Sequence, residues 1–76
     1  MASVEKIVTK MQNQPNGITF DEASKVLQAN GYKLDRQKGS HCHFINDKGN
    51  IITIPFKNPI KKIYVTAILK LISQKE

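Results

Sequence analysis

The chain is short of cysteine, of acids and of long apolar runs, and each shortage removes a class of protein. Its single cysteine, Cys42, rules out a disulfide framework and points to a reducing compartment, the cytoplasm. No apolar stretch approaches the ~20 residues that a membrane span needs, so no membrane partner is expected. The opening run Met1-Ala2-Ser3-Val4-Glu5-Lys6 holds no apolar h-region and is not expected to act as a signal peptide. Only six residues are acidic, and the one close pair, Asp21-Glu22, reads as a helix start. That leaves no paired-carboxylate chemistry. There is no glycine-rich nucleotide loop, no internal repeat and no low-complexity tract.

What is present is a small basic domain. Seventy-six residues, 1–76, make one domain, and a chain of this length buries roughly 60–65% of its unfolded surface. Hydrophobic residues make up 39% and charged residues 24%, enough apolar content for a folded globule. The net charge of +6 is uneven. Between Arg36 and Lys62 stand six cations (Arg36, Lys38, Lys48, Lys57, Lys61, Lys62) and one acid, Asp47, so this segment alone carries +5. A soluble surface would account for such charge, and so would a phosphate-binding face; the clustering favours the face.

Periodicity outlines the elements. Val4, Ile7, Val8 and Met11 form one face of a short helix, closed by Asn13-Gln14-Pro15-Asn16-Gly17. Thr19-Phe20-Asp21-Glu22 fits a capping box ahead of a second helix with Phe20, Ala23, Val26 and Leu27 as its stripe. Asn30-Gly31 stops it. Three strands follow. Tyr32 to Gln37 alternates Tyr32 and Leu34 against Lys33 and Asp35. Ser40 to Asn46 contains both histidines. Ile51 to Phe56 comes after the turn Asp47-Lys48-Gly49-Asn50. Ile60, Ile63, Tyr64, Ala67, Ile68, Leu71 and Ile72 form the stripe of a last helix. That helix starts either at Asn58-Pro59, as cap and first residue, or a turn later near Lys62. The order implies an α+β domain in two layers: a three-stranded antiparallel sheet with helices packed on one face and solvent on the other.

The chemistry concentrates in Gly39-Ser40-His41-Cys42-His43-Phe44. Two histidines two apart in a strand leave one face; Cys42 and Phe44 leave the other, toward the core. His41 on a solvent face can take or give a proton near neutral pH, and Arg36 and Lys38 nearby bias it toward the neutral, basic form. The same residue also reads as an ordinary surface histidine. His43 could pair with it as acid and base, stack on a nucleobase, or be a plain strand residue. A metal at His41-Cys42-His43 is discounted, because Cys42 points away and no second ligand cluster exists. Gly39 and Ser40 offer a phosphate backbone N–H groups and a hydroxyl, or are simply a turn. Histidine, lysine and backbone suffice for one reaction class. In RNA the 2′-hydroxyl is already beside its phosphodiester, so a protein need only move protons and stabilise charge.

Gly31-Tyr32 after a helix, Arg36-Gln37-Lys38-Gly39-Ser40-His41 with Phe44, Ile54-Pro55, and the terminal Tyr64-Val65-x-x-Ile68-Leu69-Lys70-Leu71-Ile72 together resemble the HicA family. These are small RNA-cleaving toxins (mRNA interferases) of type II toxin–antitoxin systems, and the resemblance covers roughly residues 20–72. It implies a fold like double-stranded-RNA-binding domains, with Val4 to Met11 as an N-terminal addition. It also implies that His41 is catalytic with no metal or other cofactor, and that Gly39 and Ser40 belong to the same motif. The implied partners are mRNA and a HicB-type antitoxin that covers the site in a hetero-oligomer and represses the operon. The RNA-binding set expected with it is Arg36, Lys38, Gly39, Ser40, His43 and Lys57. Two positions depart from the pattern: Lys57 stands where the family often has a histidine, and His43 where it usually has none. The alternative function is a non-catalytic RNA-binding module of the same fold.

Overall fold

The computed structural model describes residues 3–73. Its elements run α1 (Val4–Asn13), a 3-10 turn (Pro15–Gly17), α2 (Phe20–Ala29), β1 (Lys33–Lys38), β2 (His41–Ile45), β3 (Ile51–Pro55) and α3 (Lys62–Ser73). The strands form one antiparallel sheet in the order β1-β2-β3. The helical layer lies on one face of it. This is the expected α+β architecture, α2-β1-β2-β3-α3 in the manner of a double-stranded-RNA-binding domain, with α1 added.

Local signals set α2. The Thr19 hydroxyl accepts from the Glu22 N–H, and the Glu22 carboxylate accepts from the Thr19 N–H, which completes the capping box. Lys10 reaches across from α1 to the same carboxylate at 2.9 Å and ties the added helix to the shared layer. Gly31, at φ +89°, turns the chain out of α2 into the sheet. Between β2 and β3 the Asn46 side chain accepts the N–H groups of Lys48 and Asn50, a turn device additional to the expected glycine. The core is apolar throughout: Ile7, Met11, Ile18, Val26 and Leu27 from the helical side meet Cys42, Phe44 and Ile54 from the sheet, closed by Ile60, Val65 and Ile68.

Two expectations need correction, and one open choice is decided. The alternation of Tyr32 and Leu34 holds only for Tyr32, which is buried at 6% just ahead of β1. Every residue of β1 is exposed, Leu34 at 49%, because β1 is an edge strand beyond the reach of the helices. The stripe on α3 is rotated by about one residue. Val65 and Ile68 are buried, whereas Ile63 is 70% exposed and Ala67 also faces solvent. Ile60 belongs to the core but precedes the helix, so counting it as a helical position turns the stripe the wrong way. Of the two starts left open for α3, the helix takes the later, at Lys62, and the Asn58 side chain accepts the Phe20 N–H at 2.8 Å. Ile60 N–H donates to Ile18 C=O beside it, so the β3–α3 connection is stitched to the start of α2.

Candidate active site on the open face of the sheet

The site is built by the phase of β2. Cys42 and Phe44 are each 1% exposed and point into the core. His41 is exposed and His43 half-buried on the opposite face. Burial also pushes the Cys42 thiol up from its ordinary pKa, as for a small hydrophobe rather than a reactive group.

Register decides what joins the histidines. His41 lies opposite Lys38 on β1 and Pro55 on β3; His43 lies opposite Arg36 and Thr53. Cross-strand partners share a face, so Lys38 and Arg36 flank the two imidazoles. Strict alternation would have put both cations on the side of Leu34, toward the helices. A bulge at Asp35 prevents this. Leu34 pairs with Phe44, but the next pairing is Arg36 with His43, so the strand changes phase and re-aims its cations outward. Asp35 and Arg36 meet at 3.4 Å across this kink, both well exposed.

The turn before His41 has only two residues. Gly39 sits at φ +57°, while Ser40 has no positive φ, the pattern of a type II′ hairpin with glycine first. Gln37 Nε2 donates to the Gly39 carbonyl at 3.1 Å. No atom lies within 4 Å of where a Gly39 Cβ would stand, so the turn borders open space. The Phe56 N–H donates to the Ser40 carbonyl and extends the β2–β3 ladder one step past Pro55. Lys57 therefore leaves the sheet at the same end as the turn. Phe56 is 57% exposed there and meets Phe20 edge-on at 4.9 Å between ring centroids.

The same ladder explains why His43 meets Thr53. Asn46–Asn50 and Ser40–Phe56 are hydrogen-bonded positions, so His43–Thr53 falls at a non-hydrogen-bonded position, where side chains stand closest. His43 Nδ1 is 2.8 Å from Thr53 Oγ1. Thr53 was missed from the sequence, although counting outward from the Asp47–Asn50 turn would have paired it with His43.

Arg36, Lys38, Gly39, Ser40, His41 and His43 thus share one face or its adjoining turn, with Lys57 at the rim. Lys61 and Lys62 lie further on, at the start of α3. Among the described residues, ion pairs join Lys10 to Glu22 and Arg36 to Asp35, and Lys38 and Lys57 enter none. Among them, too, no three His, Cys, Asp or Glu side chains converge as metal ligands would. No helix of the described residues is long and apolar enough to cross a membrane.

Fold and face together define a small α+β domain of the double-stranded-RNA-binding type that carries an exposed histidine among cations. A family model described as "HicA toxin of bacterial toxin-antitoxin" matches residues 20–73, and the chain belongs to that family of toxins. The matched segment holds α2, the whole sheet and α3; α1 lies outside it. No curated protein and no solved structure matches the chain.

Proposed function

We propose that this toxin is a metal-independent endoribonuclease that cleaves mRNA in the cytoplasm and is held inactive by a HicB-type antitoxin in a hetero-oligomer. The observation that carries the reading is His41: exposed, at the first residue of the central strand, opposite Lys38 and one residue from the open Gly39-Ser40 turn. An imidazole there meets a phosphodiester that Lys38, Arg36, the turn and Lys57 hold by charge and hydrogen bonds. His41 moves a proton for the 2′-hydroxyl attack, and the cations stabilise the charge that gathers on the phosphoryl oxygens.

The test compares purified wild type and His41→Ala on single-stranded RNA in EDTA. Removing one proton-transfer group is expected to slow cleavage by about 10²–10⁴-fold with fold and RNA affinity retained. Wild-type activity abolished by EDTA would remove the metal-independent claim, and full activity of the variant would remove the role of His41. The exposed cationic β1 also suits a domain that only binds RNA, reading duplex shape through phosphate contacts. Salt-sensitive RNA binding without cleavage by wild type would establish that second reading instead.

A further inference from the structure

His43 has what His41 lacks, a side-chain partner. Its ring is half-buried and its Nδ1 contacts Thr53 Oγ1 at 2.8 Å, whereas its distal Nε2 makes no hydrogen bond among the described residues. A partly buried imidazole that carries a proton has two N–H groups, and the inner one needs an acceptor. Thr53 supplies it, which leaves the Nε2–H with no protein acceptor among the described residues and free for a ligand. His41 is exposed and has no such acceptor among the described residues. Building on the ribonuclease reading above, we infer that His43 is the general acid of RNA cleavage, that Thr53 is its positioning residue, and that His41 is the base.

The spacing suits the reaction. Two residues along a strand span about 6.5 Å, from a rise of ~3.3 Å per residue, which leaves room for a phosphodiester between two side chains on one face. In-line displacement needs a base on one side of phosphorus and an acid on the other. His41 takes the proton of the 2′-hydroxyl as the 2′-oxygen bonds to phosphorus. The bond from phosphorus to the 5′-oxygen breaks, and that oxygen takes the proton from His43 Nε2. The products are a 2′,3′-cyclic phosphate and a 5′-hydroxyl end, and no further reactant enters the balance. Arg36 opposite His43 and Lys38 opposite His41 face the phosphoryl oxygens between them.

The assignment is testable with a short RNA in two forms, one with an ordinary linkage and one with sulfur in place of the bridging 5′-oxygen at the cleaved position. A thiolate leaves without a proton, so only loss of the acid is repaired by sulfur. His43→Gln is expected to slow the ordinary linkage by about 10²–10⁴-fold and to recover near wild-type rate on the sulfur linkage. His41→Ala should be slow on both. Thr53→Val should follow the His43→Gln pattern in weaker form, and Thr53→Ser should restore the ordinary rate; this pair decides the matter where His43→Gln loses its fold. Equal slowing of His43→Gln and Thr53→Val on both linkages, or no slowing on either, would overturn the inference. A wild type that cleaves neither linkage would instead overturn the ribonuclease reading on which it rests.

Discussion

Along β2 the two faces alternate residue by residue and ask for opposite things. Cys42 and Phe44 are sealed against Ile54, the helices and the Phe20 ring, 6.1 Å from that of Phe44. His41 and His43 stand among arginine, lysine and a two-residue turn, with solvent above. A period of two lets five residues anchor the core and present both histidines to solvent at once. Two devices keep the phase: the turn that starts β2 and the bulge that puts the β1 cations on the histidine side.

The sharpest way to break this division is to exchange which face is damaged. Phe44→Ala removes a fully buried ring from a thin core and should cost about 3–5 kcal/mol. A domain of this size has a stability on the order of 5–10 kcal/mol in all. Thermal denaturation by circular dichroism should show the transition lost or lowered by tens of degrees. His41→Ala, which opens no cavity, should stay within about 0.5 kcal/mol of wild type in the same measurement. A His41→Ala protein that melts as early as Phe44→Ala would mean that the histidine face also holds the fold.

How far the division could be read beforehand depends on the range of the signals. The phase of β2 and the capping box of α2 are local, written in residues two or three apart, and both stand in the structure as the sequence implied. The choice between the two starts of α3 was not legible, because the partner of Asn58, Phe20, is 38 residues away and the local pattern Asn58-Pro59 mimics a helix start. The face of α3 was turned because Ile60 is buried for a tertiary reason, beside Ile18, and not as part of a helical period. The bulge at Asp35 has no signature in Leu34-Asp35-Arg36; only pairing against β2 shows that an extra residue is accommodated there. For the site, His41 and its cationic neighbours were legible. The partner of His43 was not named, since it required the register of the second hairpin.

A smaller effect probes only the layer behind the buried face. Burial alone would raise the pKa of the Glu22 carboxyl, but the Thr19 N–H, the Lys10 ammonium and the Thr19 hydroxyl outweigh it and hold the group below its ordinary value. A carboxylate with a depressed pKa contributes stability that is complete above its unfolded value and is lost as pH falls through its folded value. Glu22→Gln, which keeps the capping box but loses the charge and the ion pair with Lys10, should therefore be less stable than wild type at pH 7 by about 0.5–1 kcal/mol. The gap should close as pH drops below about 4. Urea titrations of both proteins between pH 7 and pH 3 would show it. A gap that stays constant across that range would mean that the charge of Glu22 contributes nothing to holding α1 and α2 together.

The smallest effect tests what sets the phase. Gly39 is left-handed at φ +57°, so a Cβ there is strained even though the surrounding space is empty. Gly39→Ala should lose about 1 kcal/mol, and Gly39→Asn less, because asparagine enters that region more readily. Gly39→Val should lose most of the three. Slipping the register by one residue would relieve the turn, but it would expose Phe44 and bury both imidazoles, a far larger penalty than the strain. The strand should therefore keep its phase and accept the loss, so the three variants should be ranked by midpoint at constant denaturant slope. A changed slope, or an alanine variant as stable as wild type, would show that something other than this turn decides where β2 begins.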